Sequence, residues 1–236
     1  MKIFGWEHIT YLLVWLAVSI PVLVCVKKFA KTEKSQKIAV KTMGGVLLLS
    51  ILTSRICQTF LWGSFTWYNF FPSTFCGTSS LVLALAVLLG KKDNCVLHFV
   101  WFIALLGGII TSVYPDFLEF HNSFFHLDVI TSFLHHSLSI VMVVMLLMLK
   151  QINITYKKWY YSLFGFCCYL TYGAFLIATF KIVDAFCMFT PILSGTPLTV
   201  WVMAPIYVVL YGITILIVEL SRKRRNKSLK EKNESF

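Results

Sequence analysis

The sequence predicts an all-α fold, a polytopic membrane helix bundle with seven transmembrane helices. Apolar residues make up 58% of the 236 positions and charged residues only 13%, which is about half the charged share of soluble domains. Apolar runs of about 17 to 22 residues recur, each long enough to cross a hydrocarbon core roughly 30 Å thick. The predicted spans are 9–26, 42–62, 70–90, 95–113, 128–149, 159–180 and 199–219. They predict one transmembrane domain over residues 1–220, followed by a basic tail over residues 221–236.

The net charge of +11 is concentrated on alternate connections between these spans. The basic segments are 27–41, 91–92, 150–158 and 222–232. Because Lys and Arg accumulate on the cytoplasmic side of membrane proteins, this pattern predicts an outward N-terminus and a cytoplasmic C-terminus. We therefore expect the tail to attract anionic lipid headgroups, and we expect no nucleic-acid partner.

The first two spans each carry ionisable groups near the predicted outer surface. Glu7 and His8 lie at the mouth of the first span, and Arg55 lies about two turns below the outer end of the second. Arg55 has two interpretations of equal weight. Its long side chain snorkels to the surface, or it is a cavity-facing cation paired with Asp116, Asp128 or a substrate headgroup.

The third span begins with the segment NFFPSTFCGTSS, and its proline predicts a helix that starts around Pro72. A polar stripe occupies one face of this helix within an arc of about 100°. Its members are Ser73, Cys76, Ser79 and Ser80. Small residues of this kind also serve close helix packing in membranes, and a lone cysteine is usually structural.

The fourth span contains Gly107 and Gly108, which permit close helix contact, and an outer connection follows over residues 114–127. This connection contains Asp116 and His126 but no lysine or arginine. The sixth and seventh spans are largely apolar. The seven cysteines have irregular spacing, which favours apolar fillers over a disulfide framework.

The fifth span carries the densest set of polar groups in the chain. They fall on one helical face within an arc of roughly 140°. The set is Asp128, Thr131, Ser132, His135, His136 and Ser139. Ionisable groups at membrane depth are costly and mark functional sites by default. The rise of about 1.5 Å per residue puts Cys76 and His136 at nearly equal depth below the outer surface.

Four short segments together resemble the YwaF-like family of small bacterial integral membrane proteins. The segments are FGWEH, FFPSTFC, TSVYPDF and FFHLDVITSFLHHS. The matching positions are Pro72, Cys76, Pro115, Asp116, His126, Asp128, Phe133, Leu134 and His136, and the chain departs from the pattern at Thr74, Phe125 and Ala174. The family is grouped with eukaryotic membrane acyltransferases that use a cysteine to move fatty acyl chains onto ether phospholipids. The resemblance thus implies a multi-pass protein of the bacterial cytoplasmic membrane and a lipid acyltransferase activity.

The resulting hypothesis is acyl transfer or ester hydrolysis on membrane lipid in the extracytoplasmic leaflet. Cys76 would be the nucleophile and His136 the base. Asp128 or His126 would orient His136. The predicted substrate-binding residues are Arg55, His135, Ser80 and Asp116. No cofactor is expected.

Three other interpretations use the same residues. Cys76, His126, Asp128 and His136 are suitable zinc ligands, but no tight ligand spacing supports a zinc site, so none is predicted. A binding protein or transporter with a histidine-lined outer vestibule would carry similar stripes and would not need the thiol. In the third interpretation the stripes only join helices, although serine and threonine would then suffice.

Overall fold

The computed structural model describes residues 3–60, 67–115, 123, 125–193 and 195–234, and excludes the side chains of Asp128 and of residues 225–234. The described residues form seven α-helices and no strand. The helices are α1 Trp6–Phe29, α2 Glu33–Phe60, α3 Phe75–Leu89, α4 Cys95–Val113, α5 Leu127–Met148, α6 Trp159–Phe180 and α7 Val200–Glu234. Six of them are long and apolar enough to cross a membrane, and α3 is shorter. The prediction of a helical multi-pass membrane protein is therefore confirmed, whereas the seven-span count and the orientation stay predictions.

The chain separates into two compact units, residues 1–152 and 153–236. In the first unit, helices α2, α3, α4 and α5 form a closed ring in which each packs against two neighbours. Helix α1 flanks this ring and contacts α5 and α2. Helix α5 is the most enclosed of the candidate membrane spans. In its most apolar stretch of 18 residues, 78% of the residues are buried, compared with 6% in the corresponding stretch of α1. The polar stripe of the fifth predicted span is thus carried by the central helix of the unit.

Helix α3 begins later than the sequence predicted. The prediction that Pro72 lies in the first helical turn is wrong, since the helix begins at Phe75 with Thr74 as its N-cap. The Thr74 side chain accepts a hydrogen bond from the Gly77 amide at 3.1 Å, which satisfies one of the free N–H groups of the first turn. The Pro72 carbonyl accepts a bond from the Thr78 hydroxyl at 3.0 Å. The 15 helical residues extend about 22 Å, less than a hydrocarbon core of roughly 30 Å.

The connection between α3 and α4 shows which helix ends lie together at one end of the first unit. Asn94 caps α4 by accepting a hydrogen bond from the Leu97 amide at 3.0 Å. The neighbouring Asp93 amide donates to the Gln151 carbonyl, beyond the end of α5, at 2.8 Å. The C-terminal ends of α3 and α5 therefore lie at the same end of the unit, so the two helices run parallel and α4 runs against them. This arrangement agrees with the alternation that the charge pattern predicted.

The second unit pairs α6 with α7 through aromatic and hydroxyl contacts. The Ser162 and Tyr207 hydroxyls are hydrogen-bonded, and the rings of Phe166 and Tyr207 stack with centroids 5.3 Å apart. Arg222 of α7 donates to the Ile154 carbonyl at 2.8 Å, which holds the residues before α6. The segment predicted as a basic tail continues α7 as helix through Glu234.

The connection between α6 and α7 is organised by the Asp184 carboxylate. Its Oδ1 accepts a hydrogen bond from the Met188 amide at 2.9 Å, and its Oδ2 accepts one from the Thr190 amide at 3.0 Å. Partial burial raises the pKa of Asp184, but the hydrogen bonds from Thr190, Phe189 and Met188 outweigh burial and lower the pKa below its ordinary value.

We expect Asp184→Asn to weaken this connection and to make the free energy of unfolding depend less on pH in acid. A carboxyl whose folded pKa is depressed stabilises the protein above its unfolded pKa, near 3.8, and this contribution is lost as pH falls through the lower folded value. At neutral pH the loss should be roughly 1–2 kcal/mol. Thermal unfolding in detergent at pH 7, 5, 4 and 3 measures it, with Glu7→Gln as the control. An unchanged stability difference between pH 5 and pH 3 would contradict the role assigned to Asp184.

Candidate functional site

Cys76 occupies the second position of α3, directly after Thr74 and Phe75. The first N–H groups of a helix lack intrahelical partners, and the helix dipole makes this end favourable for negative charge. Cysteines at helix N-termini are stabilised as thiolates for this reason. Cys76 is half-buried and is not part of a disulfide. Its position therefore suits a nucleophilic thiol better than an apolar filler.

The Cys76 side chain packs against α4. Its Sγ lies 3.4 Å from the Thr111 hydroxyl oxygen. It also fills the space above Gly107, where an added methyl group would approach the Sγ to 2.8 Å. Only a residue without a side chain allows the thiol to lie this close to the α4 backbone.

His136 meets the same helix at the adjacent glycine. A methyl group on Gly108 would lie 2.9 Å from the His136 carbonyl oxygen and 2.8 Å from Ile140. Consecutive helical residues point about 100° apart, so Gly107 and Gly108 serve two different neighbours, α3 and α5. The pair of glycines thus brings the Cys76 segment and the His136 segment against one turn of α4.

A hydroxyl pair fixes the relative depth of α3 and α5. The Ser80 and Ser139 oxygens are 2.7 Å apart, and Ser139 donates its own proton to the His135 carbonyl at 2.8 Å. Ser80 is therefore the donor to Ser139. Cys76 precedes Ser80 by four residues, and His136 precedes Ser139 by three. Because the helices are parallel, the thiol-bearing and imidazole-bearing turns lie within about 2 Å of the same depth.

The two adjacent imidazoles differ in their hydrogen bonding. The His135 Nδ1–H donates to the Thr131 carbonyl at 3.1 Å. The His136 Nδ1 is buried and has no hydrogen-bond partner among the described residues. The two rings lie 4.0 Å apart, centroid to centroid, and both residues are buried. An unsatisfied buried nitrogen is uncommon in folded proteins and is consistent with a group that serves chemistry or a ligand.

Arg55 of α2 lies over the first turn of α3. Its Nη1 donates to Gln58 at 3.2 Å and to the Asn69 carbonyl at 3.5 Å. A methyl group on Gly77, the residue after Cys76, would approach the Nη2 to 2.5 Å. The guanidinium thus lies against the turn that carries Cys76.

Four predicted site residues remain, and the structure describes the side chains of only two of them, His126 and Ser80. His126 is exposed at the N-cap of α5, ten residues before His136, which corresponds to about 15 Å along the helix axis. Asp128 belongs to α5, but its side chain lies outside the description, and Asp116 lies outside the described residues. Ser80 is buried and engaged with Ser139, so its hydroxyl ties two helices together.

Two features of the arrangement were not assigned from the sequence. Thr111 contacts the thiol, and the glycine pair, expected to allow close packing, proves to receive Cys76 and His136. The available signal was a stripe of small residues on α4, in which Gly107 and Thr111 are four residues apart and share a face. That stripe identifies a packing face without identifying its partners.

Neither a metal cluster nor the buried His8 adds a group to this site among the described residues. Among the residues that the structure describes, no three His, Cys, Asp or Glu side chains come together as a metal site. His8 is fully buried, with Nδ1 accepting from the Phe4 amide at 3.1 Å and Nε2 donating to the Ser112 carbonyl at 2.8 Å. Because both ring nitrogens are used, His8 fastens α1 to α4.

A family model described as the TMEM164 family matches residues 3–220. The chain belongs to the TMEM164 family. The match to the TMEM164 family covers α1 to α6 and the apolar part of α7, and it includes every residue of the candidate site. Membership in this transmembrane family agrees with the helical multi-pass architecture. No curated protein and no solved structure matches the chain.

We expect Gly108→Ala to destabilise the protein because the added methyl group collides with the His136 carbonyl and Ile140. Overpacking of this kind costs about 1–3 kcal/mol. The matched control is Gly45→Ala in α2, where nothing lies within 4 Å of the new methyl group and a gain of about 0.5–1 kcal/mol in helix stability is expected. Melting temperatures in detergent measure both variants. If the Gly108→Ala and Gly45→Ala variants had equal melting temperatures, α4 and α5 would not approach closely at Gly108.

Proposed function

We propose that this membrane protein is an enzyme that transfers or hydrolyses acyl esters of membrane lipids, with Cys76 as nucleophile and His136 as general base. The single observation that carries the proposal is that the Cys76 side chain and the His136 backbone pack against successive glycines of α4, at matching depth. The resemblance to YwaF-like proteins and to cysteine-dependent acyltransferases selects the same two residues.

The first half of the proposed reaction forms an acyl-enzyme. The His136 Nδ1 accepts the proton of the Cys76 thiol, and the thiolate sulfur attacks the carbonyl carbon of a lipid ester. The tetrahedral intermediate then collapses, the carbon–oxygen ester bond breaks, and the departing alkoxide takes the proton from the imidazolium. The products are a thioester on Cys76 and a lipid that carries one acyl chain fewer.

The second half returns the enzyme to its starting state. His136 takes a proton from an acceptor hydroxyl, either of a lysolipid or of water, and the oxygen attacks the thioester carbonyl. The carbon–sulfur bond breaks, the thiolate leaves, and the imidazolium returns the proton to it. A lysolipid acceptor gives acyl transfer and water gives hydrolysis.

Neighbouring groups are suited to stabilising the negative charges that form in both half-reactions. The Arg55 guanidinium lies against Gly77, the residue after Cys76, and Cys76 itself belongs to the first turn of α3. The guanidinium and the first-turn N–H groups are suited to stabilising the thiolate and the oxyanion of the tetrahedral intermediate. Burial strengthens these interactions because little water screens them. His135, with Nδ1 committed to the Thr131 carbonyl, is suited to positioning the substrate or His136.

We expect Cys76→Ala to abolish acyl transfer. The assay incubates purified protein with a phospholipid carrying a labelled acyl chain and follows both the labelled acyl product and the mass of the intact protein. A hydroxylamine-sensitive acyl adduct should form on wild-type protein and not on Cys76→Ala. Cys95→Ala is the matched control, because Cys95 also occupies the first turn of a helix, is exposed and lies at the opposite end of the unit.

Retention of exchange activity by a folded Cys76→Ala protein would reject the mechanism. If the unmodified protein instead binds lipid without exchange, and Cys76→Ala binds it equally well, the chain is a binding or transport protein.

We expect His136→Gln to reduce the rate of acyl-enzyme formation by about 10²–10⁴, the contribution of a positioned general base. His126→Gln should change it less than threefold, since His126 lies about 15 Å away along α5. Single-turnover adduct formation measured by mass spectrometry compares the two variants with wild type. A larger loss for His126→Gln than for His136→Gln would contradict the assignment of the base.

A further inference from the structure

A second polar region lies at the opposite end of the first unit, around the connection between α3 and α4. We call it the lysine-rich end, formed by residues 33–41, 90–94 and 149–152. A cavity of about 320 Å³ lies here, a volume at the lower end of the range for small-molecule sites. Cys76 precedes Leu89, at this end of α3, by 13 residues, about 20 Å along the helix. The cavity is therefore separate from the candidate acyl-transfer site.

The cavity is lined by more positive than negative charge. Its charged lining residues are Lys37, Lys41, Lys91, Lys92 and Glu33. Lys37 and Lys41 are four residues apart on α2, a spacing at which like charges repel each other and destabilise a helix. The connection after α3 adds two further lysines to the same lining. Four lysines and one glutamate give the lining a net charge of +3, which favours an anion.

The backbone around the lysines is held in place by specific contacts. Lys41 donates to the Leu88 carbonyl at 2.7 Å and thereby caps the C-terminal end of α3. A methyl group on Gly90 would collide with the Ala86 carbonyl and the Asn94 amide, so the connection that carries Lys91 is tightly packed. The lysines are consequently presented from a structured surface, unlike those of an extended basic segment.

Apart from Gln151, the uncharged side chains of the lining are apolar. Val87, Leu97 and Leu146 are 5%, 2% and 1% exposed and form part of the cavity wall. A free inorganic anion gains nothing from an apolar wall, whereas a molecule with a phosphate and an adjoining hydrocarbon part matches both surfaces. We propose that this cavity binds the phosphate-bearing headgroup of an anionic phospholipid. The proposal is independent of the acyl-transfer mechanism.

The test measures binding of short-chain lipids to the full-length protein in a neutral detergent. The probes are dihexanoyl phosphatidic acid, dihexanoyl phosphatidylcholine and inorganic phosphate. We expect wild-type protein to bind the phosphatidic acid at least tenfold more tightly than either of the others. Binding should weaken as salt rises, because exposed charges are screened.

The decisive comparison uses two double variants that remove the same charge. Lys37→Gln with Lys91→Gln takes two lysines from the cavity lining, and Lys27→Gln with Lys31→Gln takes two exposed lysines near the end of α1 that do not line it. The first should weaken binding of phosphatidic acid by about 25-fold, at about fivefold per lysine. The second should change it less than twofold. Lys41 is left unchanged because it caps α3.

Three results would overturn the proposal. Equal losses in the two double variants would show that diffuse positive charge attracts the lipid. Inorganic phosphate binding as tightly as phosphatidic acid would identify a site for soluble anions. The double variant Lys37→Arg with Lys91→Arg, at an unchanged melting temperature, should retain binding, and loss of binding in it would contradict recognition by charge.

Discussion

The first unit depends on one constraint: the central helix α5 carries hydroxyls and histidines that cannot face lipid. Within the ring, α5 packs mainly against α2 and α4 and also contacts α3, and most of the polar groups of its stripe are satisfied close by. Thr131 donates to the Leu127 carbonyl at 2.9 Å, and Ser139 donates to the His135 carbonyl at 2.8 Å. Ser80 completes the set by bonding Ser139 from α3. Intramembrane polar groups stabilise a bundle only when they are paired in this way.

The same constraint explains the glycine pair on α4. A polar helix that must be enclosed requires neighbours that approach it closely, and Gly108 lets α4 reach the backbone of His136. Gly107, on the neighbouring face, receives the Cys76 side chain. Close packing therefore produces two results at once: it hides the stripe from lipid and brings the Cys76 thiol and the His136 backbone against one turn of a third helix. The candidate site therefore follows from the close helix packing that encloses the polar face of α5.

The sequence predicted the helices well because apolar length alone defines a membrane span, and it predicted the polar face of α5 from periodicity. It misplaced the start of α3, since Pro72 suggested a first turn, whereas the hydrogen bond that the Gly77 amide donates to the Thr74 hydroxyl sets the helix start at Phe75. Periodicity describes one helix at a time, so it could not reveal that Thr111 meets Cys76. For the same reason it could not show that lysines from α2 and from the α3–α4 connection line one cavity.

The histidines are the part of the stripe that packing does not explain. Serine and threonine return their protons to carbonyls one turn earlier, as Thr131 and Ser139 do, so they can be buried at little cost. His135 follows the same rule through Nδ1. His136 does not, because its buried Nδ1 has no partner among the described residues, and an unsatisfied buried polar atom costs about 1–3 kcal/mol. A helix selected only for stability would carry serine or leucine at this position. The unsatisfied nitrogen of His136, on a helix turn that packs against the same part of α4 as Cys76, makes this residue the candidate base.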